Sequence, residues 1–307
     1  METGYWQQVM AAGLSVPTDR PLDELTAELT TLLGSTDPAE RDGTAYPTLA
    51  TWIERGVYDD LLTGLGDGMT TGLVVGLGER DTDTVFRRSY SVLVLAECVQ
   101  RDTLRGLLPP QKIFEWGDRI TTWYLREHDQ RGYVPGHGWA HAMAHGADAL
   151  GALAGSPHFG AAELTVVLDV VADRLLLPDT ALLTSGEPDR MAMAVMRALR
   201  RNLVALETVE AWVARIGGAA GRMTGSGDHD PYLDTFNSEA FLRALHLQLA
   251  LAPSPPAIRA DLLLTLVDTL RRTSPHFLGL QSLDQPAAPS PPTDASALDP
   301  QDDMTRE

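Results

Sequence analysis

Apolar residues recur along this chain at the three-and-four spacing of amphipathic helices, as at Leu25, Leu29, Leu32 and Leu33 and again at Met193, Met196, Leu199, Leu203 and Leu206. Strict alternation of apolar and polar positions, the mark of a strand, is nearly absent. The one competitor is Thr70 to Gly76, where Val74 and Val75 are hemmed in by glycine. Helix ends are punctuated accordingly: Asp37-Pro38 opens one helix, Pro109-Pro110 precedes another, and Gly217-Gly218 closes a third. The pattern predicts further helices over Val85 to Gln100, Trp139 to Leu153, Met191 to Ala205, Ser238 to Ala250 and Ile258 to Arg271.

The segment from Ser35 to Tyr46, running on to Leu49 and Ile53, resembles the first helix of a HEAT-type repeat. In such a helix an Asp-Pro turn caps the start, and a following Arg or Asp ties neighbouring repeats together. Comparable segments return at an irregular interval of about 50 residues. The expected fold is therefore all-α, a HEAT-like α-solenoid of antiparallel helix pairs forming a single domain over residues 1–280. From Gln281 onward the composition turns to Pro, Ala, Ser and Asp, with little to bury, so residues 281–307 are expected to be a disordered tail.

Charge narrows the choice of partner. The chain has 42 acidic against 24 basic side chains and a net charge of −18, opposite to what neutralising phosphates requires, so nucleic acid is excluded as the main partner. Lys112 is the sole lysine, and the other cations are arginines. No basic, apolar secretory leader is evident at Met1 to Gly4. The most apolar stretch, Leu164 to Leu183, is broken by Asp169, Asp173, Arg174, Pro178 and Asp179. A soluble, cytoplasmic protein without membrane contact is expected. Cys98, alone and set among apolar residues, reads as inert core in a reducing compartment.

The densest chemistry lies between Arg131 and Leu150. If the whole segment is helical, His137, His141, His145 and Asp148 fall at about −40°, 0°, +40° and −20° around the axis, on one face, with Trp139 on the other side. The alanines and glycine between them make a thin helix suited to the centre of the fold. Two histidines four apart, with Asp148 as a third ligand, could hold a divalent metal such as zinc. His141-Ala142-Met143-Ala144-His145 lacks the Glu of the zinc-protease motif, however, so that mechanism has no general base. The alternatives are a polar ligand-binding cluster, with no cofactor, or a set of neutral core histidines with Asp148 bound to an arginine.

Here the chain resembles a known family. Arg41-Asp42-Gly43 with Ala45-Tyr46, Phe86 to Ser91, and above all Arg131-Gly132-Tyr133-Val134 followed by Gly138-Trp139-Ala140-His141-Ala142 and Ala144-His145-Gly146-Ala147-Asp148 are similar to the DUF2785 family of uncharacterised bacterial proteins. The likeness covers most of residues 20 to 280. It implies a domain type and an all-helical fold, without a reaction.

Other segments offer less. Gly64-Leu65-Gly66-Asp67-Gly68 has no preceding strand and no following Gly-Lys-Ser/Thr, so an inter-helix turn is expected rather than a phosphate loop. No Gly-x-Ser-x-Gly elbow occurs. Gly225 to Tyr232 reads as a solvated turn or a ligand loop, with Asn237-Ser238 capping the next helix. Arg88, Arg197 and Arg243 lie in otherwise apolar helices and need partners, for which Asp42, Glu97 and Asp148 are the candidates. Tyr46, Trp52, Tyr90, Trp123 and Trp139 occupy similar places in successive segments.

Together these readings predict a non-catalytic scaffold that binds a peptide or small molecule on its concave face. Trp139, His141, His145, Asp148, Arg88, Tyr90, Arg197 and Arg243 are the candidate contacts. The competing expectations are a metal-dependent hydrolase using His141, His145 and Asp148, and a protein–protein interaction module.

Overall fold

The helical periodicity is realised almost throughout the computed structural model, which describes residues 3–178, 181–221, 230 and 232–279. The tail from 281 to 307 lies outside the described residues, as do 225–229 and 231 of the acidic loop. Helices α1 (Thr3–Ala11) and α2 (Leu22–Leu32) come first. Asp37 Oδ1 then accepts from Ala39 N at 2.8 Å, capping α3 (Pro38–Glu40) as the Asp-Pro pair predicts. One π-helical turn (Arg41–Ala45) carries the chain without a break into α4 (Tyr46–Glu54). A 3-10 turn leads to α5 (Leu62–Gly72), followed by α6 (Thr84–Arg105) and α7 (Pro110–Arg126). A hairpin of two short strands, β1 (Tyr133–Val134) and β2 (Gly138–Trp139), precedes α8 (Ala142–Gly155) and α9 (Ala161–Leu176). The chain continues through α10 (Glu187–Arg200), α11 (Leu206–Ala220), α12 (Tyr232–Leu251), α13 (Arg259–Thr273) and α14 (Pro275–Leu278).

Alternate helices lie side by side. One row runs α4, α6, α8, α10, α12, each packed on the next, and a second runs α5, α7, α9, α11, α13. The rows are joined by α5 on α6, α7 on α8, α9 on α10 and α11 on α12. Helix α8 sits at the middle of the first row and is buried on nearly every side. Its small residues allow this. A Cβ on Gly146 would overlap the Tyr124 ring and lie 3.0 Å from Trp123 Cζ3, so only glycine admits α7 at this distance. One continuous cluster of buried apolar side chains, from Trp6 to Leu270, fills the space between the rows, and Cys98 is buried within it. Among the described residues no helix is long and apolar enough to cross a membrane.

Several boundaries differ from the sequence reading. Gly64 to Gly68 is the body of α5 rather than a turn, and Trp116 packs where a side chain at Gly66 would stand. Thr70 to Gly76 forms the end of α5 and a turn, not a strand. Gly217-Gly218 falls within the last turn of α11. Asn237 and Ser238 lie inside α12 rather than capping it. The Asn237 amide instead bridges Leu183 N and Ala181 O, both at 2.9 Å, pinning the segment before α10.

Candidate functional site

The expected helix from Trp139 to Leu153 begins only at Ala142. Pro135-Gly136 makes a turn of the type that requires a left-handed third residue: Gly136 has φ +81°, and His137 N donates to Val134 O at 3.0 Å. The hairpin returns with Trp139 opposite Tyr133. Ala140 N and His141 N then bond to Gly132 O and Arg131 O at 2.8 and 3.1 Å. His141 itself takes φ +50°, turning the chain into α8, and its carbonyl accepts from His145 N at 2.9 Å. This sharp corner corrects the helical projection for His137 and Trp139. Trp139 does not pack on the far side but stacks on His141, with centroids 4.2 Å apart and planes at 25°.

The stack continues as a row of rings. Tyr133 meets Trp139 edge-on at 5.0 Å, His141 meets His145 at 5.9 Å, His145 meets Tyr90 at 5.0 Å, and Tyr90 meets Tyr46 at 6.3 Å. Tyr46, Tyr90, Trp139, His141, His145 and Asp148 border a cleft of about 360 Å³, closed by Asp42, Leu93 and Arg190. Thus α4, α6, α8, α10, the hairpin and the π-helical turn all contribute. Within the cleft's walls Asp148 Oδ2 receives Arg190 Nη1 at 2.5 Å, and Asp42 is held by Arg41 Nε at 2.8 Å. Arg41 is fully buried against the Phe86 and Tyr90 rings, at 4.1 and 5.0 Å, and donates to His137 O at 2.7 Å, so it locks the hairpin turn to the π-helical turn.

Protonation follows from burial. His145 is pushed down to about 3, first by burial and then by the nearby His141, Arg190 and Arg41, so its imidazole is neutral. The Ser89 hydroxyl, buried behind it, donates to Ala140 O, so His145 Nδ1 must be the donor in its 2.8 Å contact with Ser89 Oγ. That leaves Nε2 as a lone-pair nitrogen. Burial also lowers His141, whose Nε2 is enclosed without a hydrogen-bond partner, 4.0 Å from Glu187 Oε1. The Asp148 and Glu97 carboxyls are raised, burial outweighing the pull of Arg190 and of the Tyr46 hydroxyl respectively. Tyr46 and Tyr90 are raised by burial and by Glu97 and Asp42.

The structure thus brings together Trp139, Tyr90, His141, His145 and Asp148, but not the predicted arginines. Arg88 is sealed away from the cleft and paired with Glu127. Arg243 is not inside an apolar helix face: its side chain is half exposed and bound to Glu239 and Ser274. Arg197 is half buried where α10 crosses Gly151 of α8, its field reaching Glu97 and Asp148. The arginine that does reach the cleft is Arg190, two helical turns before Arg197 and so on the same face of α10. Trp52 and Trp123 are core.

A metal reading needs three converging donors. Asp148 faces Arg190 and His145 Nδ1 faces Ser89, and among the described residues no three His, Cys, Asp or Glu side chains form a group able to hold a metal ion. A larger cavity, about 850 Å³, lies beyond Glu187, walled by Arg131, Asp129 and Asn237. Two pairs in its polar walls are engaged with one another, Arg131 Nη2 with Asp129 at 2.6 Å and Glu187 Oε2 with Ser185 N at 2.7 Å, while the buried Gln130 Oε1 has no hydrogen-bond partner.

A family model described as "Protein of unknown function (DUF2785)" matches residues 73–247, from the end of α5 into α12 and across the hairpin and α8. No curated protein and no solved structure matches the chain.

Proposed function

The chain belongs to the DUF2785 family, and from that premise we propose that it is a non-catalytic cytoplasmic binding scaffold whose cleft between α4, α6, α8 and α10 takes a small molecule or one side chain of a peptide. The frame we assign to it is a HEAT-like α-solenoid of antiparallel pairs. The two rows of alternately packed helices support that frame, since stacked helix pairs bury their stripes in this order.

One observation carries the binding reading. Groups that are costly to bury, two tyrosine hydroxyls, one histidine and a carboxylate, are hydrogen-bonded to the protein and border, together with His141, a cavity within the range of small-ligand sites. Catalysis is less well supported. A general base working near neutrality needs a pKa near 7, and burial takes His145 far below that. The hydroxyl bonded to His145 Nδ1 is that of Ser89, fully buried behind the ring with its proton committed to Ala140 O.

A screen of chemically diverse small molecules by thermal shift tests the proposal. A ligand at a hundredfold excess over its Kd adds about 2.7 kcal/mol, which for a chain of this size raises Tm by roughly 4 °C. The shift disappears in Trp139→Ala. That substitution alone is expected to lower Tm by a few degrees, because more than half of the indole is covered, so the ligand-induced shift is read within each variant. A broad screen in which no compound gives a Trp139-dependent shift contradicts the proposal.

A further inference from the structure

The protons of the cleft lining are committed to protein acceptors. Tyr46 Oη donates to Glu97 Oε1 at 2.9 Å, and Tyr90 Oη donates to the Trp139 carbonyl at 3.3 Å. His145 donates through Nδ1 to Ser89. The acceptors that remain among the lining residues are therefore the Tyr46 phenolic oxygen and His145 Nε2, with the Asp42 and Asp148 carboxylates, each holding one arginine, beside them. Arg190, the one lining cation among the described residues, is already engaged by Asp148 at 2.5 Å. At the mouth, Trp139 is braced by His141 against one face and by the edge contact with Tyr133, and it remains substantially exposed.

A wall of acceptors and aromatic faces recognises a donor that carries positive charge. An ammonium group has three donors and no acceptor, and it is attracted to an indole face. An anion would meet two carboxylates, each with its arginine already engaged, and two histidines on which burial disfavours positive charge. The net charge of −18 adds a long-range field that concentrates cations near the surface. His145 is the least replaceable element of this wall. It is only 6 % exposed and lines the cavity.

We infer that the guest of this cleft carries an alkylammonium head, seated between Trp139, Asp42 and Asp148 with an N–H directed at His145 Nε2, an inference that rests on the proposed binding function and names its ligand class. The head could belong to a free polyamine or to the lysine side chain of a peptide, since both present the same chemistry.

Isothermal titration of the full chain with putrescine, a blocked lysine peptide, 1,4-butanediol and succinate tests this. At least one ammonium probe is expected to bind about tenfold or more tighter than the diol, and the better of the two ammonium probes identifies the source. Trp139→Ala weakens it by about fivefold or more, whereas Asp60→Asn, which removes one exposed carboxylate elsewhere, leaves it unchanged. Equal weakening by Trp139→Ala and Asp60→Asn would mean diffuse attraction to an acidic surface, and it overturns the inference. Trp139-dependent binding of the diol or of succinate, with neither ammonium probe bound, overturns the ligand class while leaving the binding function intact. Absence of Trp139-dependent binding by any of the four probes also overturns the ligand class, and the thermal-shift screen of diverse molecules decides the binding function separately.

Discussion

Replacing Glu127 by alanine is expected to destabilise the fold by about 3–5 kcal/mol, the cost of leaving a buried cation without its partner. Arg88 and Glu127 are both fully buried. Arg88 Nε and Nη2 reach Glu127 Oε2 and Oε1 at 2.5 and 2.9 Å, a two-pronged pairing that joins α6 to the end of α7. The remaining Arg88 nitrogen donates to Val75 O, Gly76 O and Thr84 Oγ1, so it also fixes the turn after α5. Glu127 additionally accepts from Trp123 Nε1 at 3.1 Å and Asp129 N at 2.9 Å, and its backbone carbonyl accepts from Arg174 at 2.9 Å. Thermal unfolding should show a fall in Tm on the order of 10 °C. Arg88→Leu combined with Glu127→Leu should cost clearly less than the sum of the two single changes, because neither partner is then left charged and alone. Additive losses, or a fall in Tm of only a degree or two for Glu127→Ala, would show that the pair does not clamp α6 to α7.

The same pair shows where sequence reasoning stops. An arginine in an apolar helix must be paired, and Arg88 is. Its partner is not Asp42, Glu97 or Asp148, of which the first and last line the cleft. Helix α6 is buried on almost its whole circumference, at Val85, Phe86, Arg88, Ser89, Tyr90, Ser91 and Val92 in succession. A projection of such a helix has no polar face from which to tell which neighbour each residue meets.

A second large effect is expected from pH. His145 has a folded pKa of about 3 against an ordinary 6.5, so between these values the unfolded chain binds a proton that the folded protein refuses. Its stabilising contribution is complete above about pH 6.5 and is lost as pH falls toward 3, at up to about 1.4 kcal/mol per pH unit. By pH 4.5 the loss approaches about 3 kcal/mol. Glu97 and Asp148 act in the opposite sense. Their raised carboxyls favour the folded state at low pH, and that contribution fades as pH rises through their folded pKa values. The comparison must therefore be with a variant. His145→Asn keeps a donor for Ser89 and removes the titration, so denaturant unfolding should give a markedly flatter acid limb between pH 6.5 and 4.5. Parallel limbs for the two proteins would show that His145 is not held neutral by burial.

How much of the fold and the cleft was legible in the sequence varies with the kind of signal. Helical spacing, the Asp37 cap and the Pro109-Pro110 start came directly from local chemistry, and they hold. The meeting of His141, His145 and Asp148 was legible too, although for a partly mistaken reason. Only His145 and Asp148 lie in α8, while His141 reaches the cleft from a left-handed corner. Pro135-Gly136 between Tyr133 and Trp139 is a turn signal that would have exposed the hairpin. The π-helical turn, which sets Asp42 and Tyr46 at the cleft, has no comparable signature in sequence. Arg190 follows from position alone: Glu187-Pro188-Asp189-Arg190 looks like an ordinary helix start, and only the packing of α10 on α8 turns that arginine toward Asp148.

The central claim is that His145 presents a lone pair to a cleft that accepts a guest. Nitrogen-detected NMR of the His145 imidazole near pH 7, before and after addition of a ligand found by the screen, addresses it directly. The account predicts a neutral ring protonated at Nδ1, with an Nε2 resonance that moves on ligand addition while Nδ1 stays bonded to Ser89. A ring protonated at both nitrogens, a proton on Nε2, or an Nε2 signal indifferent to a ligand whose binding depends on Trp139 would contradict it.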